Sequence, residues 1–179
     1  FDRFHPDDIL PLFKKYNITT FCAPPTMYRF FIKEDLSKYD LSSIEYATTA
    51  GEALNPEVFN QFKKATGLTI MEGFGQTEST MIIGNLVGKP HKIGAMGKPA
   101  PIYKVELHNS EGQQVKTSES GEIVINVQNG APCGLFTGYY GDEEATTHHL
   151  VRDENGVIWY ITEDLIRINE EGELFLDGS

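Results

Sequence analysis

The stretch TAGEALNPEVFNQFKKATGLTIMEGFGQTES, Thr49 to Ser79, decides how this chain folds. Its middle reads as a helix with Asn55 as N-cap, Pro56 at the first helical position and Gly67 as the stop. Val58, Phe59, Phe62 and Ala65 give that helix one apolar face. The flanks are strand-like: Ile44–Ala50 before it and Leu68–Gly73 after it. Upstream the same alternation continues. Pro6 to Tyr16 begins with a proline and the acids Asp7 and Asp8, then sets Ile9, Leu10, Leu12 and Phe13 on one side; Pro11 is expected to shift or kink its first turns. Ile18–Ala23 is the next strand and Pro25–Leu36 the next helix. Short strands thus recur about every 25 residues with helices between them, which predicts a parallel sheet covered on both faces. Ligands of such sheets bind at the C-terminal strand ends. Two loops leave those ends, TAGEALNP and GFGQTES, and both are expected to open on one rim.

Beyond about Gly94 the texture changes. Short strands are split by glycine-containing pairs at Glu111-Gly112, Ser120-Gly121, Asn155-Gly156 and Glu171-Gly172, and only DEEATTHHLV offers a helix. The fold class is therefore α/β: a parallel α/β subdomain over 1–93, then an antiparallel, β-rich and barrel-like subdomain over 94–179.

Composition narrows the function. The 179 residues suffice for a real core. A formal net charge of −11 without a Lys/Arg run argues against a nucleic-acid partner. A small phosphorylated ligand stays open, because one loop binds it locally. No apolar run approaches the ~18 residues of a membrane span, and no signal segment is present, so a cytoplasmic location is expected. Cys22, inside FCAPP, reads as a buried reduced thiol. His148 and His149 are adjacent rather than spaced to share a helix face, which speaks against zinc. The beginning FDRFHPDDIL and the ending FLDGS read as a piece of a longer chain.

In GFGQTES, Gly73 and Gly75 flank Phe74, so the backbone has room to turn and approach a ligand. An exposed Phe74 there suits a planar base, and such stacking is worth roughly 1–3 kcal/mol. Thr77 offers a hydroxyl and an N–H near an expected helix start, both suited to a phosphate oxygen. Glu78 beside a phosphate calls for a divalent cation between them, as Mg²⁺ provides. The competing reading is a plain strand-to-helix turn with Thr77 as N-cap and Phe74 packed inward. AGEALNP taken alone is a turn and a cap. In VIWYITEDLIRI, Thr162, Glu163 and Asp164 fall between two expected strands, where an Asp can accept both hydroxyls of a ribose or simply sit in water.

Together, TAGEALNPEVFNQFKKATGLTIMEGFGQTEST, GAMGKPAPIYKVEL, SGEIVI, GLFTGYYGDEEAT and WYITEDL with EEGELFLDG resemble the adenylate-forming acyl-CoA synthetases. The resemblance is strongest to the branch acting on acetate and short- or medium-chain fatty acids, and it runs in order over essentially the whole chain. It implies formation of an acyl-adenylate from a carboxylic acid and ATP, release of pyrophosphate, and acyl transfer to CoA with release of AMP. It assigns Gly51, Glu52 and Ala53 to the adenine side, and Glu72, Gly73, Phe74, Gly75, Gln76 and Thr77 to the loop that holds the adenylate. Phe74 takes the stacking position, Gln76 lies near the acyl carbonyl and Thr77 near the α-phosphate. Glu78 is the Mg²⁺ ligand, and Thr77 and Glu78 are the residues nearest the chemistry. Asp164 is the ribose-binding acid. Relatives loading a carrier protein or acting on aryl acids, and a non-catalytic scaffold keeping the fold, are the alternatives. Two positions depart from the family's pattern: Glu163 stands where a glycine is usual, and Gly178-Ser179 stands where Gly-Arg is usual. The family's phosphate-gripping loop and its C-terminal lobe with a lysine are expected in the rest of a parent chain, so this piece alone is expected to be inactive.

Overall fold

The alternation read from the sequence is present in the structure, a computed structural model that describes residues 3–90 and 92–176. The chain divides into two compact units, Phe1–Gly73 and Phe74–Ser179. The change of texture at Gly94 is therefore not where the chain divides.

In the first unit, helix α1 (Pro6–Tyr16) carries Asp7 and Asp8 in its first turn and Lys14 and Lys15 in its last, both favourable to the helix dipole. It runs through Pro11 from its expected start. Strand β1 (Thr20–Cys22) and helix α2 (Pro25–Phe31) follow. The second helix is shorter than its apolar residues suggest; the chain turns after it and makes one 3-10 turn at Leu36–Lys38, where the Asp35 carboxylate accepts from the Ser37 N–H. Then come β2 (Tyr46–Thr49), α3 (Pro56–Thr66) and β3 (Ile70–Gly75). Helix α3 has the expected ends: the Asn55 side chain accepts from the Glu57 N–H at 2.8 Å, and Gly67 closes it in a left-handed conformation.

Strands β1, β2 and β3 pair in parallel, with Phe21 beside Ala47 and Ala47 beside Ile70. That row faces one cluster containing Leu10, Phe13, Tyr28, Phe31, Val58, Phe59 and Phe62. Among the described residues α1, α2 and α3 pack on one face of these strands, where helices on both faces were expected. The reason is topological: strands laid in sequential order by right-handed crossovers put their connecting helices on the same side. Cys22 is exposed, not buried as its apolar surroundings suggested. It follows Phe21, and side chains alternate between faces along a strand, so it points away from the helices.

In the second unit, β4 (Met81–Gly84) pairs antiparallel with β5 (Lys98–Pro99). Strands β6 (Val105–His108) and β7 (Ser120–Asn126) precede the short helix α4 (Glu143–His148), and β8 (Leu150–Arg152), β9 (Ile158–Ile168) and β10 (Leu174–Leu176) follow it. The larger antiparallel sheet has the order β10-β9-β7-β6, with β8 beside the first half of β9. Ser120-Gly121 opens β7 rather than making a turn. Ile82, Ile83, Tyr103, Leu107, Ile123, Ile125, Tyr160, Ile166 and Leu174 form its buried core.

Replacing Asn55 tests the helix that organises the first unit. Asn55→Ala is expected to cost about 1 kcal/mol and Asn55→Gly only a few tenths, read from urea unfolding. Equal losses for both would show that the capping bond contributes nothing.

Candidate functional site

The second unit begins at Phe74, so the glycine-flanked motif is divided between the units. Gly73 and Gly75 belong to β3, not to an open loop. Phe74 is half-buried and packs on the apolar cluster of the second unit. That agrees with the inward-packing reading. No helix follows: the chain turns at Gln76–Ser79 and enters β4. The expected helix start at Thr77 is thus corrected, and Thr77 is exposed in that turn.

The turn is closed by named contacts. The Ser79 N–H donates to the Gln76 carbonyl at 3.2 Å, and the Ser79 hydroxyl accepts from the Gln76 N–H at 3.0 Å. On its far side the Thr80 N–H donates to the Gly134 carbonyl at 2.8 Å and the Phe136 N–H to the Glu78 carbonyl at 2.7 Å. Two glycines permit this closeness. A Cβ on Gly75 would sit 2.7 Å from the Thr80 carbonyl oxygen, and one on Gly134, at φ +99°, would sit 2.5 Å from Thr80 Oγ1.

The Gln76 side chain reaches from the turn to strand β9. Its Nε2 donates to Asp164 Oδ2 at 2.5 Å and to the Thr162 carbonyl at 2.8 Å. Its Oε1 lies 3.4 Å from the Tyr160 hydroxyl, whose pKa burial pushes up, so the phenol stays a donor at neutral pH. The structure thus bonds directly two residues that the resemblance assigned to the same ligand, Gln76 and Asp164.

Thr162, Glu163 and Asp164 lie inside one continuous strand, β9, not between two strands. The ladder is irregular there. Glu122 pairs with Leu165 and Val124 with Ile161, so Ile123 alone faces Thr162, Glu163 and Asp164. This bulge is pinned by the Thr162 hydroxyl donating to the Ile123 carbonyl at 2.9 Å and by the Glu163 N–H donating to Glu122 Oε1 at 2.8 Å. Glu163 takes φ +62°, a left-handed conformation that favours glycine. Asp164 follows it in β9, with its N–H 3.3 Å from the Thr162 hydroxyl oxygen. Gly178 and Ser179 lie outside the described residues.

Glu78 has an arrangement the sequence did not reveal. Its Oε1 accepts from the Tyr139 hydroxyl at 2.7 Å. That hydrogen bond is the main cause holding the carboxyl below its ordinary value, and it raises the Tyr139 phenol in turn. Tyr139 also lies near His149 Nε2, and His149 stacks on Tyr160. Tyr139 stands in GLFTGYYGDEEAT, but nothing local marks it as the partner of an acid 61 positions away. Among the described residues no three His, Cys, Asp or Glu side chains cluster to make a metal cage. A lone carboxylate with one oxygen already held suits an ion that keeps water and substrate phosphates as its other ligands, as Mg²⁺ does.

In the first unit, Gly51, Glu52 and Ala53 are exposed. Glu52 accepts from the Thr26 hydroxyl at 3.1 Å and pairs with Arg29 at 3.6 Å. Glu72 is buried, and its Oε1 accepts from the Leu54 N–H at 3.3 Å, which ties the segment after β2 to β3.

The family model described as "AMP-binding enzyme" matches residues 1–140. The acyl-coenzyme A synthetase ACSM3, mitochondrial, of Rattus norvegicus is 39% identical over 170 residues, covering 89% of this chain and 29% of the relative. The acyl–CoA ligase YtcI of Bacillus subtilis is 38% identical over 177 residues, covering 98% and 32%. Among solved structures, the anthranilate CoA ligase AuaEII in complex with anthranoyl-AMP has a TM-score of 0.81 at 26% identity, covering 95% of this chain and 31% of that one. An acyl-CoA synthetase of Brucella canis has a TM-score of 0.78 at 27% identity, covering 99% and 32%. The chain thus spans about three tenths of the length of the curated relatives it matches.

The strained bulge gives a test of its own. Glu163→Gly removes the left-handed penalty together with an exposed side-chain contact to His148 at 3.4 Å. It is expected to leave stability unchanged or raise it by up to about 1 kcal/mol, whereas Glu163→Val lowers it by about 1–2 kcal/mol. A loss in Glu163→Gly as large as that in Glu163→Val would contradict this account of the bulge.

Proposed function

We propose that this chain, which belongs to the AMP-binding enzyme family, is part of an acyl-CoA synthetase whose acid is a short- or medium-chain fatty acid. In that reaction a carboxylate oxygen attacks the α-phosphorus of ATP and pyrophosphate leaves. The CoA thiol then attacks the acyl carbonyl and AMP leaves. Negative charge gathers on phosphate oxygens, so positioning and charge stabilisation carry the catalysis and no protein nucleophile is needed.

The observation that carries the reading is the bond from Gln76 to Asp164, which brings two segments of the resemblance to one place in the second unit. Asp164 would hold the ribose hydroxyls, Gln76 would face the acyl carbonyl, and Phe74 would stack on the base. Thr77, exposed in its turn, would donate its hydroxyl to the α-phosphate. Gly51, Glu52 and Ala53 carry the adenine-side resemblance within the first unit, where Glu72 holds their loop by the Leu54 N–H. Gly73 and Gly75 would let the backbone of β3 come near the adenylate. Glu78 would be the protein ligand of Mg²⁺, which when bound neutralises phosphate charge. A phosphate-gripping loop and a C-terminal lobe would come from the rest of the longer protein, so this piece alone would not turn over. No helix among the described residues is long and apolar enough to cross a membrane. A cytoplasmic site of action belongs to the same proposal; the rat relative carries a mitochondrial name, and imaging of the tagged full-length protein decides between them.

The test is acid-dependent exchange of pyrophosphate into ATP by the full-length protein. Short- and medium-chain fatty acids are expected to support exchange, and adding CoA to release AMP. Asp164→Ala should weaken nucleotide binding about 10- to 100-fold, the worth of hydrogen bonds to a charged group. Exchange with aryl acids alone would replace the substrate class, and no exchange with any acid would favour a scaffold.

A further inference from the structure

The Tyr139 hydroxyl carries one proton and has two acceptors in reach. Glu78 Oε1 lies at 2.7 Å and His149 Nε2 at 3.4 Å. The shorter contact to the charged acceptor takes the proton. His149 is fixed from its other side: its Nδ1 lies 3.0 Å from the Ile161 carbonyl, which only accepts. The neutral ring therefore carries its proton on Nδ1 and turns the lone pair of Nε2 toward Tyr139. Both rings are held in place. Tyr139 meets Phe136 edge-on with centroids 4.9 Å apart, and His149 lies against Tyr160 at 5.5 Å and 26°. The backbone before Tyr139 is bonded to the Glu78 turn through Phe136 and Gly134.

We propose that Tyr139 is a positioning residue for Glu78. Its hydroxyl anchors Oε1, so the carboxylate presents its other oxygen to a divalent cation carrying nucleotide phosphates. His149 is the second acceptor, and its ring beside the phenol keeps the Tyr139 hydroxyl next to the carboxylate. This inference rests on the reading of Glu78 as the cation ligand. It extends that reading to two residues in segments that local sequence does not connect to the turn.

The experiment is a titration of the full-length protein and ATP with Mn²⁺, followed by the electron paramagnetic resonance of the free ion. Glu78→Gln is expected to abolish the protein-dependent increase in Mn²⁺ binding. Tyr139→Phe keeps the ring and loses only the hydroxyl; it is expected to weaken that binding about 10- to 100-fold, as loss of a group that orients a metal ligand does. His149→Ala is expected to give a smaller loss. As a readout independent of any truncation, 3-fluorotyrosine at position 139 should shift its ¹⁹F resonance when Mg²⁺ and ATP are added, and should not shift in Glu78→Gln. Unchanged Mn²⁺ binding in Tyr139→Phe, with loss in Glu78→Gln, overturns the positioning role alone. Unchanged binding in Glu78→Gln overturns the reading of Glu78 and the proposal with it. A ¹⁹F resonance indifferent to Mg²⁺ and ATP also overturns the positioning role.

Discussion

The carboxamide of Gln76 is the contact on which the candidate site depends. It spans 88 positions of sequence to Asp164 and takes the Thr162 carbonyl as well. An amide donating to a carboxylate makes a stronger bond than a neutral pair, and it fixes a direction. Without it, the turn after β3 and the bulge of β9 are two unrelated irregularities. With it, the acid proposed for the ribose and the turn proposed for the adenylate share one frame. The surrounding hydrogen bonds support that frame from behind: Ser79 and Phe136 on the turn, Thr162 and Glu122 on the bulge.

Both halves of the frame are irregular backbone placed on regular strands. β3 delivers the turn and β9 delivers the bulge, so the polar side chains ride on elements whose apolar residues fix them. Tyr160 shows the coupling. Its ring is part of the buried core while its hydroxyl approaches Gln76. The unusual conformation of Glu163 is kept because the ladder on either side of it is paired. Local strain of this kind persists only where the surroundings determine it.

Much of the fold was legible because its signals were local. Asn55, Pro56 and Gly67 each act within a turn of their own position, and helix α3 begins and ends where they place it. The alternation of strands and helices survived for the same reason. Cys22 was misread because apolar neighbours say nothing about which face of a strand is covered; the sequential strand order decides that. Thr77 was misread as a helix start because the turn is closed by Gly134 and Phe136, far along the chain. The bulge at Glu163 was invisible to a pattern of period two, since it consists of three residues facing one. Tyr139 and His149 escaped notice because the contacts that give them meaning lie across strands. Gln76 and Asp164 were both assigned to one adenylate by the family resemblance, but the direct bond between them had no local signal in either segment.

The most direct measurement of the central claim is a double-mutant cycle between Gln76→Ala and Asp164→Ala, read by the stability of the chain in urea. If the amide and the carboxylate form one unit, the two changes are coupled by about 0.5–3 kcal/mol, and the double variant loses less than the sum of the singles. Additive losses, within about 0.5 kcal/mol, would mean that the two residues act independently and that the frame does not exist.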